Sequence, residues 1–271
     1  MCEKSIQVKE AVIRGNEKCA RDTYLLTLDG NVLGEISPGQ FVCLQPLSSS
    51  SAMARPFSFF RFNEFHQLQI LYKVVGENTS LMSQLKTGQE IKIWGPLGKD
   101  IGRPHYDKDY DQVWFVGGGM GIAPLNFMAA DFKHGGSLFN GKVFYGFKTN
   151  KDIPNVHLEF GLGPRESYYV TEDDSGRYQG LVTDLFVQKI LENPGKKILV
   201  ITCGPKPMMR KVAEICQKQR LDCYVIIETI MACGIGVCLG CSIKMQSGEM
   251  KCVCRKGPVF NAKEVDWDAL G

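Results

Sequence analysis

Through the first hundred positions, apolar residues recur at short, alternating intervals: IQVKEAVI from Ile6, TYLLTL from Thr23, GQFVCLQP from Gly39, QLQILYKVV from Gln67 and QEIKIWG from Gln89. Runs of this length and period predict strands, and TSLMSQLK from Thr79 is the one helix-like stretch among them. Short strands at such spacing predict a small antiparallel barrel, with a β-sandwich as the other architecture the pattern allows. Near Asp111 the rhythm changes. QVWFVGGG, KVFYGF, ESYYVTE, KKILVITCG and DCYVIIE alternate with helix-length segments, Ile122 to Lys133, Asn155 to Phe160, Gly180 to Glu192 and Lys206 to Leu221. Strand and helix in alternation predict a parallel sheet. Gly95 to Asp109, rich in glycine, proline and charge, reads as the linker. After about Glu228 the periodicity stops and a cysteine- and glycine-rich tail begins. The expected organisation is multidomain, β plus α/β: a barrel over 1–104, a parallel-sheet domain over 105–227 and a small C-terminal domain over 228–271.

Composition narrows the function. Of 271 residues, 44% are hydrophobic and 23% charged, ordinary globular usage that excludes a disordered or coiled-coil chain. Lys and Arg number 32 against 29 Asp and Glu, too even for a nucleic-acid footprint or a polybasic membrane anchor. MCEKSIQVKE lacks an apolar core of signal-peptide length, and no stretch approaches the roughly 18 apolar residues of a membrane span, so a cytoplasmic protein is expected.

The abnormal residue count is that of cysteine, at 11. Cys2, Cys19, Cys43, Cys203, Cys216 and Cys223 are scattered, whereas Cys233, Cys238, Cys241, Cys252 and Cys254 crowd together. With an odd total and no export signal, a shared metal or iron-sulfur site is the better reading than a disulfide framework. Cys233, Cys238 and Cys241 read C-x4-C-x2-C with a later cysteine, the plant-type [2Fe-2S] spacing. Gly234, Gly236 and Gly240 let the backbone fold tightly and aim amide N–H groups at sulfur. A structural zinc site is the alternative, although zinc ribbons usually pair two C-x2-C knuckles. Spacing leaves the fourth ligand open between Cys252 and Cys254.

Other segments point to nucleotides. Arg55-Pro56-Phe57-Ser58 combines a cation suited to phosphate, a rigid turn, a ring and a hydroxyl able to meet the N5 edge of a flavin; an ordinary strand would also read this way. Gly76-Glu77-Asn78-Thr79 opens a helix, where free N–H groups favour a pyrophosphate, unless Asn78 or Thr79 merely caps it. Leu71, Tyr72 and Lys73, at the end of the strand before it, are counted with this cofactor-binding set. Gly117-Gly118-Gly119-Met120-Gly121 follows the first parallel strand, the right context for a dinucleotide, though G-x-G-x-G lacks the G-x-x-G ending. Gly118, Gly119 and Gly121 are the candidate contacts there. Cys203-Gly204-Pro205 ends the fourth strand on the same sheet edge; Cys203 could instead be a small core residue. Glu172, Asp173 and Asp174 would repel a 2′-phosphate and favour NADH, while Lys148 and Lys151 argue the other way. His66, His105, His134 and His157 lie outside every motif and are expected at the surface.

In this order, the segments resemble the ferredoxin-reductase superfamily, most closely the electron-transfer subunits of class 1B dihydroorotate dehydrogenases. The resemblance runs end to end through RPFS, GGGMGIAPL, CGPKPM, CGIGVCLGC and the later CRKGPVF and EVDW. It implies FAD on the barrel, NAD(H) on the parallel domain and a [2Fe-2S] cluster in the tail. The last ligand in that family precedes the segment matching KGPVF, which implies Cys254 beside Cys233, Cys238 and Cys241. Asn78 stands where the family commonly has glycine; asparagine also tolerates left-handed backbone. The implied activity is hydride exchange between NAD(H) and flavin, its geometry shaped by Ser58 and Cys203, with single electrons passed to or from an FMN-containing catalytic subunit. A related subunit serving another acceptor, in a ferredoxin-linked bifurcating complex or a sulfide dehydrogenase, is the alternative.

Overall fold

The computed structural model of the chain describes residues 7–50, 53–63, 65–99, 110–134, 141–158 and 167–270. The boundary expected at 104/105, most of the linker, Cys2, His105 and the side chain of His134 lie outside these residues.

Seven strands build the amino-terminal half: β1 (Lys9–Ala20), β2 (Thr23–Asp29), β3 (Phe41–Pro46), β4 (Arg55–Ser58), β5 (Arg61–Phe62), β6 (Gln67–Lys73) and β7 (Glu90–Leu97). They form one antiparallel sheet in the order β4-β3-β7-β1-β2-β6-β5. The sheet curls until β4 packs on β6, where the Phe57 and Tyr72 rings meet edge to face at 6.2 Å. Alternation drives this: Leu26, Leu28, Leu68, Ile70 and Ile93 point inward and are fully buried. Strand β1 is longer than the apolar run around Ile6 to Ile13 suggested, because it changes partners. Lys9–Val12 pairs with β7, and the polar remainder to Ala20 pairs with β2. Helix α1 (Glu77–Gln84) follows β6.

The second sheet comprises β8 (Gln112–Gly118), β9 (Gly141–Phe147), β10 (Ser167–Thr171), β11 (Tyr178–Gln179), β12 (Ile198–Cys203), β13 (Asp222–Ile226) and β16 (Val259–Asn261), ordered β11-β10-β9-β8-β12-β13-β16. All neighbours are parallel except β16, which runs antiparallel to β13. Helix α2 (Ile122–His134) covers one face with Leu125 and Met128; α3 (Val182–Leu191) and α4 (Lys206–Lys218) cover the other with Phe186 and Val212. Successive β8 residues serve opposite faces, Trp114 and Val116 toward α3 and α4, Val113 and Phe115 toward α2. No helix forms over residues 155–158, and 159–160 lie outside the described residues. Instead the Asn155 N–H donates to the Cys19 carbonyl (2.8 Å), so this segment ties the two sheets together.

The tail is not a separate appendage. Its hairpin, β14 (Ser242–Lys244) with β15 (Met250–Cys252), leads through α5 (Val253–Lys256) into β16. Gly98 N–H donates to the Cys254 carbonyl (3.1 Å), Lys99 N–H to Gly257 (2.7 Å) and Ile227 N–H to Pro258 (2.9 Å), so the segment after Cys254 is bonded to both sheets. Among the described residues no helix is long and apolar enough to cross a membrane.

Candidate functional site

Arg55, Pro56, Phe57, Ser58, Leu71 and Tyr72 line one cavity of about 570 Å³, together with Lys73, Gly76, Asn78 and Thr79. They converge because β4 and β6 close the curled sheet here and α1 starts directly after β6. Gly76 caps α1, and the Thr79 hydroxyl takes the Val75 and Gly76 N–H groups at 2.9 and 3.1 Å. Asn78 does not cap the helix. Its buried amide donates to the Met53 carbonyl (3.0 Å) and its carbonyl accepts from the Ser49 hydroxyl, pinning the strand-connecting segment over the helix start. Arg55 spends one guanidinium nitrogen on the Met53 and Ala54 carbonyls (2.9 and 3.1 Å), which aims the rest of a planar cation along the wall. Phe41, Met231 and Pro258 complete an apolar floor. A helix amino terminus and an arginine at one side, with apolar and aromatic walls elsewhere, fit the phosphates and flat ring of a flavin nucleotide.

Glu228 also lines this cavity, a residue the sequence did not single out. Its side chain is exposed within the open cavity, and the protein packed around that cavity raises its carboxyl above the ordinary range.

A second cavity, about 420 Å³, lies at the carboxyl edge of the parallel sheet. Strand order reverses between β8 and β12, the switch point at which open α/β sheets bind nucleotides. Gly118, Gly119 and Pro205 line it; Gly121, Cys203 and Gly204 do not, and serve the approach of the two turns. A Cβ on Gly121 would sit 2.0 Å from the Cys203 carbonyl oxygen, and one on Gly204 2.8 Å from the Gly118 nitrogen. Cys203 is fully buried and lines neither cavity, its thiol pushed up by burial and by Glu228. Glu172 and Lys148 line the second cavity, joined by Lys211, whereas Asp173, Asp174 and Lys151 do not. Lys73 and Met120 line both cavities and form their shared wall. His66 and His157 are exposed.

The cysteine loop packs against the barrel beside Cys43, whose own thiol is pushed up to about 12 by burial and by Cys233. Cys233 accepts N–H groups from Ile235 and Cys238 at 3.4 and 3.5 Å, and Cys238 accepts from Gly240 at 3.5 Å. Burial would raise the Cys233 thiol, but the N–H donors of Cys238 and Ile235 outweigh it and bring it down to about 6. Cys241 and Cys254 sulfurs lie 3.2 Å apart. Burial and Cys241 push the Cys254 thiol up to about 12. Cys252 faces elsewhere, against the Ser242 hydroxyl at 3.3 Å on the paired strand. Gly236 has φ +80°, and its missing side chain leaves room for the Arg255 stem, which a Cβ would meet at 2.4 Å. Among the described residues no three metal-binding side chains close on a single metal-sized point. The thiols lie as two pairs, Cys233 with Cys238 and Cys241 with Cys254, as four cysteines must to serve two sulfide-bridged irons, whereas one tetrahedral zinc would gather all four.

Residues 228–266 match the iron-sulfur cluster binding domain of dihydroorotate dehydrogenase B, and residues 115–214 an oxidoreductase NAD-binding domain. The dihydroorotate dehydrogenase B (NAD(+)) electron transfer subunit of Clostridium acetobutylicum is 35% identical over 92% of this chain and 94% of its own length. That of Caldanaerobacter subterraneus is 36% identical over 94% and 97%. The solved NADH-dependent reduced ferredoxin-NADP oxidoreductase of flavin-based electron bifurcation is 28% identical, with a TM-score of 0.82 covering all of this chain and 93% of that one. A match of this identity, spanning both sheets and the cysteine tail, places the chain in the family of dihydroorotate dehydrogenase B electron transfer subunits.

Proposed function

We propose that the chain exchanges electrons between NAD(H) in the second cavity, FAD in the first and a [2Fe-2S] cluster on Cys233, Cys238, Cys241 and Cys254, in the cytoplasm. It does so for an FMN-containing catalytic subunit that interconverts dihydroorotate and orotate. The observation that carries this is spatial: the two cavities share the Lys73–Met120 wall, and Pro258 on the floor of the first lies four residues after Cys254. When bound, the flavin converts hydride pairs to single electrons and the cluster relays single electrons. Arg55 and the α1 amino terminus hold the flavin phosphates, and the half-buried Ser58 hydroxyl offers a hydrogen bond to the ring edge. Phe41, Met231 and Pro258 keep water from the ring. Gly118 and Gly119 bring backbone close to NAD(H), while Cys203 underpins the turn that faces it. Glu172 on the cavity wall supports a preference for NADH, since a carboxylate repels a 2′-phosphate.

Around the cluster loop, Ile230, Val237 and Leu239 are 87%, 76% and 61% exposed, an apolar rim suited to the catalytic subunit. The likeness to the bifurcating oxidoreductase favours a second reading, in which the same three sites serve a different acceptor subunit. Purification of the native complex separates them. A yellow-brown protein that reduces dyes with NADH and is isolated with an FMN subunit turning over dihydroorotate supports the first; a partner without FMN overturns it.

A further inference from the structure

We propose that Asp152 is a positioning residue for NAD(H), holding the Lys73 ammonium at the seam of the two cavities so that it receives the nucleotide's phosphates; this rests on reading the second cavity as the NAD(H) site. Lys73 ends β6, on the barrel, and Asp152 stands in the loop after β9, on the parallel sheet; only folding brings them together. Asp152 accepts from Arg21 Nε and a terminal nitrogen at 3.1 and 2.6 Å and from the Thr149 hydroxyl at 3.2 Å. Lys73 Nζ lies 3.5 Å from Oδ1, the oxygen that also accepts from Arg21 Nε, a longer contact. Arg21 therefore takes most of the carboxylate's charge, and the ammonium is aimed without being consumed. The Lys73 side chain keeps 37% of its surface, against 10% for Asp152.

Direction follows from which cavity each residue touches. Lys73 lines both, but Asp152 lines only the second, so the pair draws the ammonium toward the parallel sheet. The first cavity has its own phosphate groups, Arg55 and the α1 amino terminus. The second cavity is also lined by the Gly118–Gly119 turn, Lys148 and Lys211, a set suited to a dianionic pyrophosphate once a further cation is fixed there. Arg21 has a separate task. Its N–H donates to the Lys151 carbonyl (3.0 Å), and with its guanidinium it ties the β1–β2 turn to the loop carrying Asp152.

The test uses FAD- and cluster-loaded protein, with steady-state ferricyanide reduction by NADH. Asp152→Asn and Lys73→Gln are each expected to raise KM for NADH about tenfold with kcat within about twofold, because phosphate binding is common to ground and transition states. Combined, they should do little more than Lys73→Gln alone, and Lys73→Arg should restore most of the affinity. Arg21→Gln should lower Tm and raise KM less than Asp152→Asn does, because the Thr149 hydroxyl still holds the carboxylate. An unchanged KM in Asp152→Asn, or an equal rise in Arg21→Gln, overturns the proposal and leaves Asp152 a domain tie. Flavin lost from Lys73→Gln on gel filtration also overturns it, by assigning the ammonium to FAD. If Asp152→Asn does not accumulate, an unchanged KM in Lys73→Gln decides against it. Unaltered protein that fails to saturate with NADH would instead remove the underlying reading of the cavity.

Discussion

Arg55 lines the first cavity together with the α1 amino terminus, so on the proposed reading its truncation would remove a charge-assisted phosphate contact. Arg55→Ala is expected to weaken FAD retention by about 1.5–3 kcal/mol, read as flavin occupancy after dialysis. In the tail, Cys254→Ser should abolish the cluster's visible absorption and its EPR signal on reduction. Cys252→Ser should leave both intact, because Cys252 faces Ser242. Glu228 gives a pH signature. Its folded pKa lies above the unfolded value of about 4.3, so the folded state loses stability as pH rises from there through the raised value. Glu228→Gln removes that loss: Tm at pH 8 should rise relative to the parent chain, and the difference should vanish near pH 4. RPFS, GENT and the cysteine spacing could be read from sequence because each packs its chemistry into a few adjacent residues. Glu228, Met231 and Asp152 could not, since their roles exist only where separate strands meet.

Single elements depend on how closely their ends approach. Helix α2 begins against the Cys203 carbonyl, and Gly121→Ala puts a methyl group where backbone already stands. A loss of about 1–3 kcal/mol in denaturant unfolding is expected, together with a higher KM for NADH as the Gly118–Gly119 turn shifts. Strand β16 holds the tail through Phe260, which is 5% exposed and packed with Val225 and Ile215 in one core. Phe260→Ala should cost about 3–5 kcal/mol. Period-two and helical patterns revealed the long strands and the helices after β8, β11 and β12. They could not reveal β16, three residues long, whose partner lies more than thirty positions earlier. The helix expected from Asn155 fails for a related reason: its backbone is engaged with the barrel at Cys19.

For the whole molecule, the barrel, parallel sheet and cysteine tail are joined by backbone hydrogen bonds as well as side chains, so the three sites are fixed relative to one another. The ordering of sites was legible from motif order; the interlocking was not, because backbone bonds carry no residue code. The interlock has a consequence for the protein's fate before its cofactors arrive. Strand β16 covers the outer edge of β13 and starts five residues after Cys254. A chain that has not acquired its cluster is expected to hold that cover less firmly, and uncovered Tyr224–Ile226 would present an open row of peptide groups to any similar strand. Iron-sulfur assembly is then also a checkpoint on solubility. Cluster removal with chelator alone should increase light scattering and thioflavin binding with protein concentration, and a disulfide engineered between β13 and β16, kept oxidised because no reductant is added, should suppress both while the cluster is still absent.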